Sequence, residues 1–433
     1  MPNQASNSSF KDWHPNIWPP FTQIKTNKPQ IEVIYGKDAS LFTKEPEKEL
    51  IDGISSWWVT LHGHSNEFIA NAISEQANKL EQVIFADFLH PQAKMLSERL
   101  SELTKLERVF FSDNGSTAVE VALKIAYQWW RNQGEERNQI IAFEGAYHGD
   151  TFGAMALGER NIFNESFENL MFPVQRAPWP STWLEDKEIE RKEDAALKAL
   201  SRLLQKPTVA VILEPILQGA GGMNMVRPEF IEKVSKLVIN NNSLLIADEV
   251  LTGFGRTGSL FAFQQANIHP DLIAISKGLT SGFLPMGITL SKEKIFQSFV
   301  SESPEKTFWH GHSFTANPLG CAAANASLDL LELEPNKYLN FHHKHISLIK
   351  KLQKLSFVKR VRVCGTIVAF DLEIDTNSGY LNSVGKKIKA MSIEKGLFIR
   401  PLGNVIYLLP PLCITDKQLE NSYEIIYEIL LNL

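Results

Sequence analysis

Four features of the 433-residue chain could do chemistry together. Lys277 directly follows the apolar run LIAIS, where a desolvated amine loses proton affinity and becomes a nucleophile. Asp248 ends the run LLIA, and a carboxylate buried there needs a partner to offset its desolvation. Ser116 and Thr117 follow Gly115 at the start of a helical pattern, with Thr117-x-x-Glu120 reading as a capping box. Such a helix start holds a phosphate on its unpaired amides. Tyr147 stands just past another strand pattern and offers an aromatic face. A phosphate site, an aromatic face, an aspartate for a ring nitrogen and a Schiff-base lysine are what pyridoxal 5'-phosphate requires. Each feature alone has an ordinary explanation, a solvated strand end or a turn-capping carboxylate, so the weight lies in their coincidence.

The elements that must position these residues are strands alternating with helices. Strands are predicted at 108–112, 139–143, 208–213, 243–247 and 272–276. Between them, Ile69, Ile73, Ala77 and Leu80, and then Ala118, Ala122, Ile125 and Trp129, repeat at helical spacing. This order predicts an α/β fold with a mostly parallel sheet covered by helices on both faces. Ligands of such sheets bind beyond the carboxyl ends of the strands, where Asp113–Ser116, Gly145–His148, Glu214, Asp248 and Lys277 all fall. After about residue 330 the pattern changes to a smaller α+β unit.

Composition narrows the class. Lys plus Arg number 44 against 49 Asp plus Glu, a net charge of -5 that provides no basic surplus for nucleic acid. The first twenty residues carry neither a signal peptide nor a membrane anchor pattern, and apolar runs elsewhere reach strand length only. Three scattered cysteines suit a reducing compartment, and the expectation is a cytoplasmic protein.

Several motifs together make the chain similar to the class III pyridoxal-phosphate aminotransferases. They are DNGSTAVEVALKIA, GAYHGDTFGAMAL, LEPILQGAGGM, LLIADEVLTGFGRTGSLFAF, PDLIAISKGL, HGHSFTANPLGCAAANASL and RPLGNVIYLLPPL. The resemblance runs from WPPFTQ at Trp18–Gln23 to the C-terminal helix, and SSWW, AYHGDTFGAM and IRPLGNVIY favour the branch that aminates 8-amino-7-oxononanoate. It implies aminotransferase fold type I, with a seven-stranded large domain over 66–330 and a smaller domain built from 1–65 and 331–433. It implies that Lys277 forms the Schiff base and acts as general base and acid, with Asp248 and Tyr147 catalytic beside it. Gly115 and Ser116 would hold the phosphate, and His312 and Ser313 would come from the partner subunit of a homodimer. Phe21, Trp57, Trp58, Tyr147, Gly311, Arg400 and Tyr407 match substrate positions, with Arg400 taking the acceptor carboxylate; Asp150 and Glu214 match supporting positions.

The implied reaction moves an amino group from S-adenosylmethionine to 8-amino-7-oxononanoate, giving 7,8-diaminononanoate in biotin biosynthesis. Phe21 replaces the tyrosine of many members, keeping an aromatic face and losing a hydroxyl. A lysine-using branch also has phenylalanine there, whereas Trp57-Trp58 suits a sulfonium, so lysine stands as the alternative donor. Another class III enzyme acting on an ω-amine, or a non-catalytic relative, would share the cofactor residues or the fold alone. Gly253-Phe254-Gly255-Arg256-Thr257-Gly258 is a literal dinucleotide fingerprint, but five residues separate it from the strand end. The histidine groups at 62–64, 310–312 and 342–345 lack companion ligands at zinc spacing, and no metal is expected.

Overall fold

The computed structural model describes residues 13–373 and 383–433, so Met1–Lys11 and the adjoining Asp12, part of the stretch read for targeting, lie outside the described residues. A seven-stranded sheet forms the centre, in the order Arg108–Ser112, Gly287–Ser291, Leu272–Ile275, Leu244–Asp248, Thr208–Leu213, Gln139–Phe143 and Gln175–Ala177. Only Gly287–Ser291 runs against the others, pairing antiparallel with both its neighbours. The sheet is therefore mostly parallel, as predicted. Gly287–Ser291 and Gln175–Ala177 are strands that the sequence pattern did not reveal. The aspartate strand begins one residue later than predicted and takes Asp248 in as its last residue, opposite Ala274.

The inner strands Thr208–Leu213, Leu244–Asp248 and Leu272–Ile275 are buried along their whole length because both faces are covered. Alternate residues enter different cores: Val211, Leu213, Leu245, Ala247, Ile273 and Ile275 on one side, Ala210, Ile212, Leu244, Ile246, Leu272 and Ala274 on the other. The helix Gly115–Asn132 lies on the second side, burying Ala118, Ala122 and Ile125 at the predicted spacing. Trp130 rather than Trp129 is its fully buried aromatic residue, its Nε1 donating to the Val209 carbonyl at 2.8 Å.

Two smaller sheets bring distant segments together. Val358–Cys364, Ile367–Leu372 and Val405–Leu408 form an antiparallel sheet. Val33–Lys37, Ser40–Thr43 and Lys48–Asp52 form a meander whose last strand pairs in parallel with Leu397–Phe398, placing Ile51 opposite Leu397 and Asp52 opposite Phe398. That pairing sets Trp57 and Trp58 beside the segment that carries Arg400 and Tyr407. Among the described residues no helix is long and apolar enough to cross a membrane.

Candidate active site

The strand ends border a cavity of about 570 Å³, lined among others by Gly115, Ser116, Tyr147, Glu214, Asp248 and Lys277. Lys277 leaves its strand with φ 39°, a left-handed conformation uncommon outside glycine, and opens a short 3-10 turn. Burial pushes its amine below the usual lysine range, against the opposing pull of Asp248, Glu214 and Asp150.

Asp248 is buried, and each of its oxygens has a partner. Oδ1 accepts from the Val250 amide at 3.1 Å, and Oδ2 lies 2.6 Å from Nδ1 of the buried His148. A carboxylate oxygen only accepts, so Nδ1 is the donor of this bond, and the His148 Nε2 has no partner among the described residues. Sequence reasoning placed His148 at a strand end and assigned it no role; the only signal was its place beside Tyr147. Glu214 is buried, accepts from the amides of Tyr147 at 3.0 Å and Gly219 at 2.9 Å, and is pushed up to about 7 by that burial. The Tyr147 hydroxyl bonds Asp150, and burial followed by the Asp150 charge raises its pKa.

At the helix start the expected capping box is displaced. Asn114 is the N-cap: its Oδ1 accepts from the Thr117 amide at 3.0 Å and its own amide donates to Thr117 Oγ1 at 3.1 Å. Because the helix begins at Gly115, Glu120 lies too far along to complete a box. It instead accepts from Thr151 Oγ1 at 2.6 Å and the Ala154 amide at 3.0 Å. The first intrahelical bond is made by Ala118, so the amides of Gly115 and Ser116 precede the ladder. A Cβ at Gly115 would meet Val250 Cγ1 at 2.6 Å, and Gly149, at φ 131°, has no room for one against Ser116. Glycine is required at both places for the backbone to come this close.

A second cavity of about 390 Å³ shares Trp58, Tyr147, Asp150 and Lys277 with the first and extends to Phe21, Trp57, Phe163, Arg400 and Tyr407. Lys277 thus stands where the two meet. Trp58 is 5% exposed and donates from Nε1 to the Tyr407 hydroxyl at 3.0 Å. Trp57 is 43% exposed, with Arg400 5.1 Å from its ring centroid and Phe21 edge-on at 5.5 Å. Phe163 stands edge-on to Phe21 at 6.1 Å, an aromatic wall residue that no motif had marked.

Three expected residues are not brought to either cavity of this chain. Gly311, His312 and Ser313 lie in the stretch before the helix Pro318–Leu333 and line neither space. A side chain added at Gly311 would meet nothing within 4 Å. The dinucleotide-like run also stays outside both cavities: the buried Arg256 donates to the carbonyls of Pro410 at 2.9 Å and Thr60 at 3.3 Å. Histidines are occupied elsewhere, His62 with the Ser327 carbonyl, His310 with Lys124 and His345 with the Tyr423 hydroxyl.

Glu249, next to Asp248, faces away from the chemistry and yields a prediction. It is fully buried, accepts from Thr252 Oγ1 at 2.5 Å and the Phe263 amide at 2.7 Å, and is pushed up to about 7 by burial. Between the ordinary carboxylate value and about 7, the folded state holds a proton that the unfolded state has lost. Stability therefore falls as pH rises through that window, by up to about 1.4 kcal/mol per unit for this group. Glu249→Gln keeps an acceptor for the Phe263 amide and cannot ionise. Melting curves should show it matching the parent near about pH 4 to 5 and exceeding it near about pH 8; equal melting at both would refute the assignment.

The donor set fits pyridoxal phosphate: helix-start amides for the phosphate, a carboxylate at a strand end for the ring nitrogen, and an amine for the carbonyl, all lining one cavity. The family model described as aminotransferase class-III matches residues 24–430. The chain is 51% identical to the adenosylmethionine-8-amino-7-oxononanoate aminotransferase of Synechococcus elongatus, covering 96% of this chain and 99% of the relative. The protein of the same description from Geobacter sulfurreducens is 39% identical over 95% of each chain. The solved structure of the Methanocaldococcus jannaschii enzyme so named superposes with a TM-score of 0.88 at 33% identity, covering 96% of this chain and 97% of the other. An omega-transaminase from Thermomicrobium roseum gives 0.89 at 26% identity, over 96% of each.

Proposed function

This chain belongs to the class III aminotransferases, and we propose that it transfers an amino group from S-adenosylmethionine to 8-amino-7-oxononanoate, forming 7,8-diaminononanoate in biotin biosynthesis. The observation that carries the reading is the meeting of the two cavities at Lys277, one lined by the cofactor's donor set and the other ending in Arg400 between aromatic walls. The family uses pyridoxal phosphate, which when bound supplies an electron sink for the bond-breaking at the substrate carbon.

The chain's own residues supply the rest. Gly115 and Ser116 would hold the phosphate and Tyr147 would lie along the ring. Asp248, fixed by His148 and the Val250 amide, would keep the ring nitrogen protonated. Lys277, its amine depressed by burial, would act as base and acid in turn, moving the proton from the donor carbon to the cofactor carbon and, with the acceptor, from the cofactor carbon to the acceptor carbon. Arg400 would pair with the acceptor carboxylate through two of its guanidinium nitrogens, while Trp57, Trp58 and Tyr407 flank the aliphatic stem. Phe21 and Trp57 offer the faces on which an adenine or a sulfonium would rest.

His312, Ser313 and Gly311 would complete the neighbour's site in a two-fold homodimer, which accounts for their position away from this chain's own cavities. The three cysteines are unpaired, in keeping with a cytoplasmic enzyme.

The test is turnover of 8-amino-7-oxononanoate with S-adenosylmethionine and with lysine, each supplied alone. Product with S-adenosylmethionine supports the reading, and product with lysine alone overturns the donor. In the same assay Arg400→Ala should raise the acceptor KM by roughly 10²-fold, the cost of losing a charge-assisted bidentate pair. An unchanged KM would remove Arg400 from the acceptor site.

A further inference from the structure

The turn that carries Trp57 and Trp58 is strained, and something must hold it. Ser55, Ser56 and Trp58 have φ of 53°, 60° and 65°, and Ser56 couples its φ with ψ of -99°, outside even the left-handed helical region. Three such residues within four, none of them glycine, would relax if released. We propose that Asp52 is a positioning residue of the acceptor pocket, whose carboxylate holds this turn in the conformation that presents Trp57 and Trp58 to substrate.

Asp52 is the last residue of its strand and is fully buried. Its Oδ2 accepts from the Ser56 amide at 2.6 Å and lies 2.9 Å from His64 Nε2, while Oδ1 accepts from the Ile54 amide at 3.2 Å. One carboxylate thus grips the turn on both sides of Ser55. The turn is joined in addition to the segment that carries Arg400 and Tyr407. The Gly53 amide donates to the Phe398 carbonyl at 3.0 Å, the Leu409 amide to the Gly53 carbonyl at 2.8 Å, and Ser55 Oγ to the Leu409 carbonyl at 2.7 Å. A shift at Asp52 therefore moves the aromatic wall relative to the Arg400 cation, while Lys277, Asp248 and the helix start stay on the central sheet.

The inference rests on the acceptor assignment above, and its test has one arm independent of that assignment. In the holoenzyme, Asp52→Asn leaves a single acceptor oxygen, which cannot serve the Ile54 amide at one end of the group and the Ser56 amide at the other. The acceptor KM should rise about tenfold with kcat changed by less than about threefold, as expected for loss of positioning without loss of chemistry. The near-UV circular dichroism of the tryptophans, measured without substrate, should change while the visible band of bound cofactor is retained. Adding Ser56→Gly to Asp52→Asn should return KM to within about threefold of the parent, because glycine adopts the strained angles at little cost. Unchanged KM and tryptophan dichroism in Asp52→Asn would overturn the proposal, as would failure of Ser56→Gly to restore them. If Asp52→Asn does not fold, His64→Ala, which removes one of the two Oδ2 partners, must show the same change in dichroism and KM or the proposal fails. Should the parent enzyme not turn over 8-amino-7-oxononanoate at all, the functional reading falls, while the dichroism arm still decides whether Asp52 holds the turn.

Discussion

Lys277→Ala should lower turnover by roughly 10⁴-fold, the upper range for losing a positioned proton-transfer group, and more if anchoring of the cofactor is also lost. The expectation follows from position: Lys277 lines both cavities, and burial lowers the proton affinity of its amine, which favours the nucleophilic form. The visible band of the lysine-linked cofactor should disappear with the activity. Steady-state turnover and the absorption spectrum check this together. The fold should survive, because removing an amine from a buried site removes a desolvation cost. Partial recovery of rate with a small added amine, which could enter the space left by the side chain, would show that the loss is chemical. A variant that retained the parent rate would end the assignment of Lys277 as base.

Asp248→Asn should cost roughly 10² to 10³-fold in kcat, the range found when a preorganised electrostatic partner is lost. Asparagine preserves the volume and an acceptor for the Val250 amide, so only the charge is removed. His148 makes the replacement tolerable: Nε2 is unpartnered among the described residues, and a ring with its proton there would accept at Nδ1 from the new amide. The cofactor should remain bound through the helix start and Lys277 while the rate falls. That separates an electronic role for Asp248 from a merely structural one. Equal rates for Asp248→Asn and the parent would show that the carboxylate charge does not matter, and loss of cofactor in step with activity would point to binding instead.

How much could be read without coordinates follows from how local each interaction is. Lys277, Asp248, Tyr147, Gly115 and Ser116 were legible because each adjoins its own strand or opens its own helix, and strand ends of a parallel sheet meet at one edge. The helix cap was misread as Thr117 with Glu120 because the helix start is decided by Asn114, two residues before the serine-threonine pair. The His148–Asp248 bond spans 100 residues and the Trp58–Tyr407 bond 349, and no local pattern encodes such pairings. Gly287–Ser291 was missed because it breaks the alternation of strand and helix, entering the sheet antiparallel and closing the gap between Arg108–Ser112 and Leu272–Ile275. Phe163 and Asp52 had no motif to mark them; each acquires meaning only from its neighbours in space.

The residue order by itself therefore determined the α/β class and the cofactor chemistry, since apolar period and strand-end position are properties of short segments. Tertiary structure alone decided how the second cavity is assembled. Phe21, Trp57 and Trp58 of its aromatic wall come from near the start of the chain and its cation from residue 400, and the parallel pairing of Lys48–Asp52 with Leu397–Phe398 brings these ends together. Closing so long a loop costs chain entropy that no segment can repay alone. The packed core over both chain ends offsets it, and with that closure the strained turn, its Asp52 anchor and the Arg400 charge take up their places around Lys277.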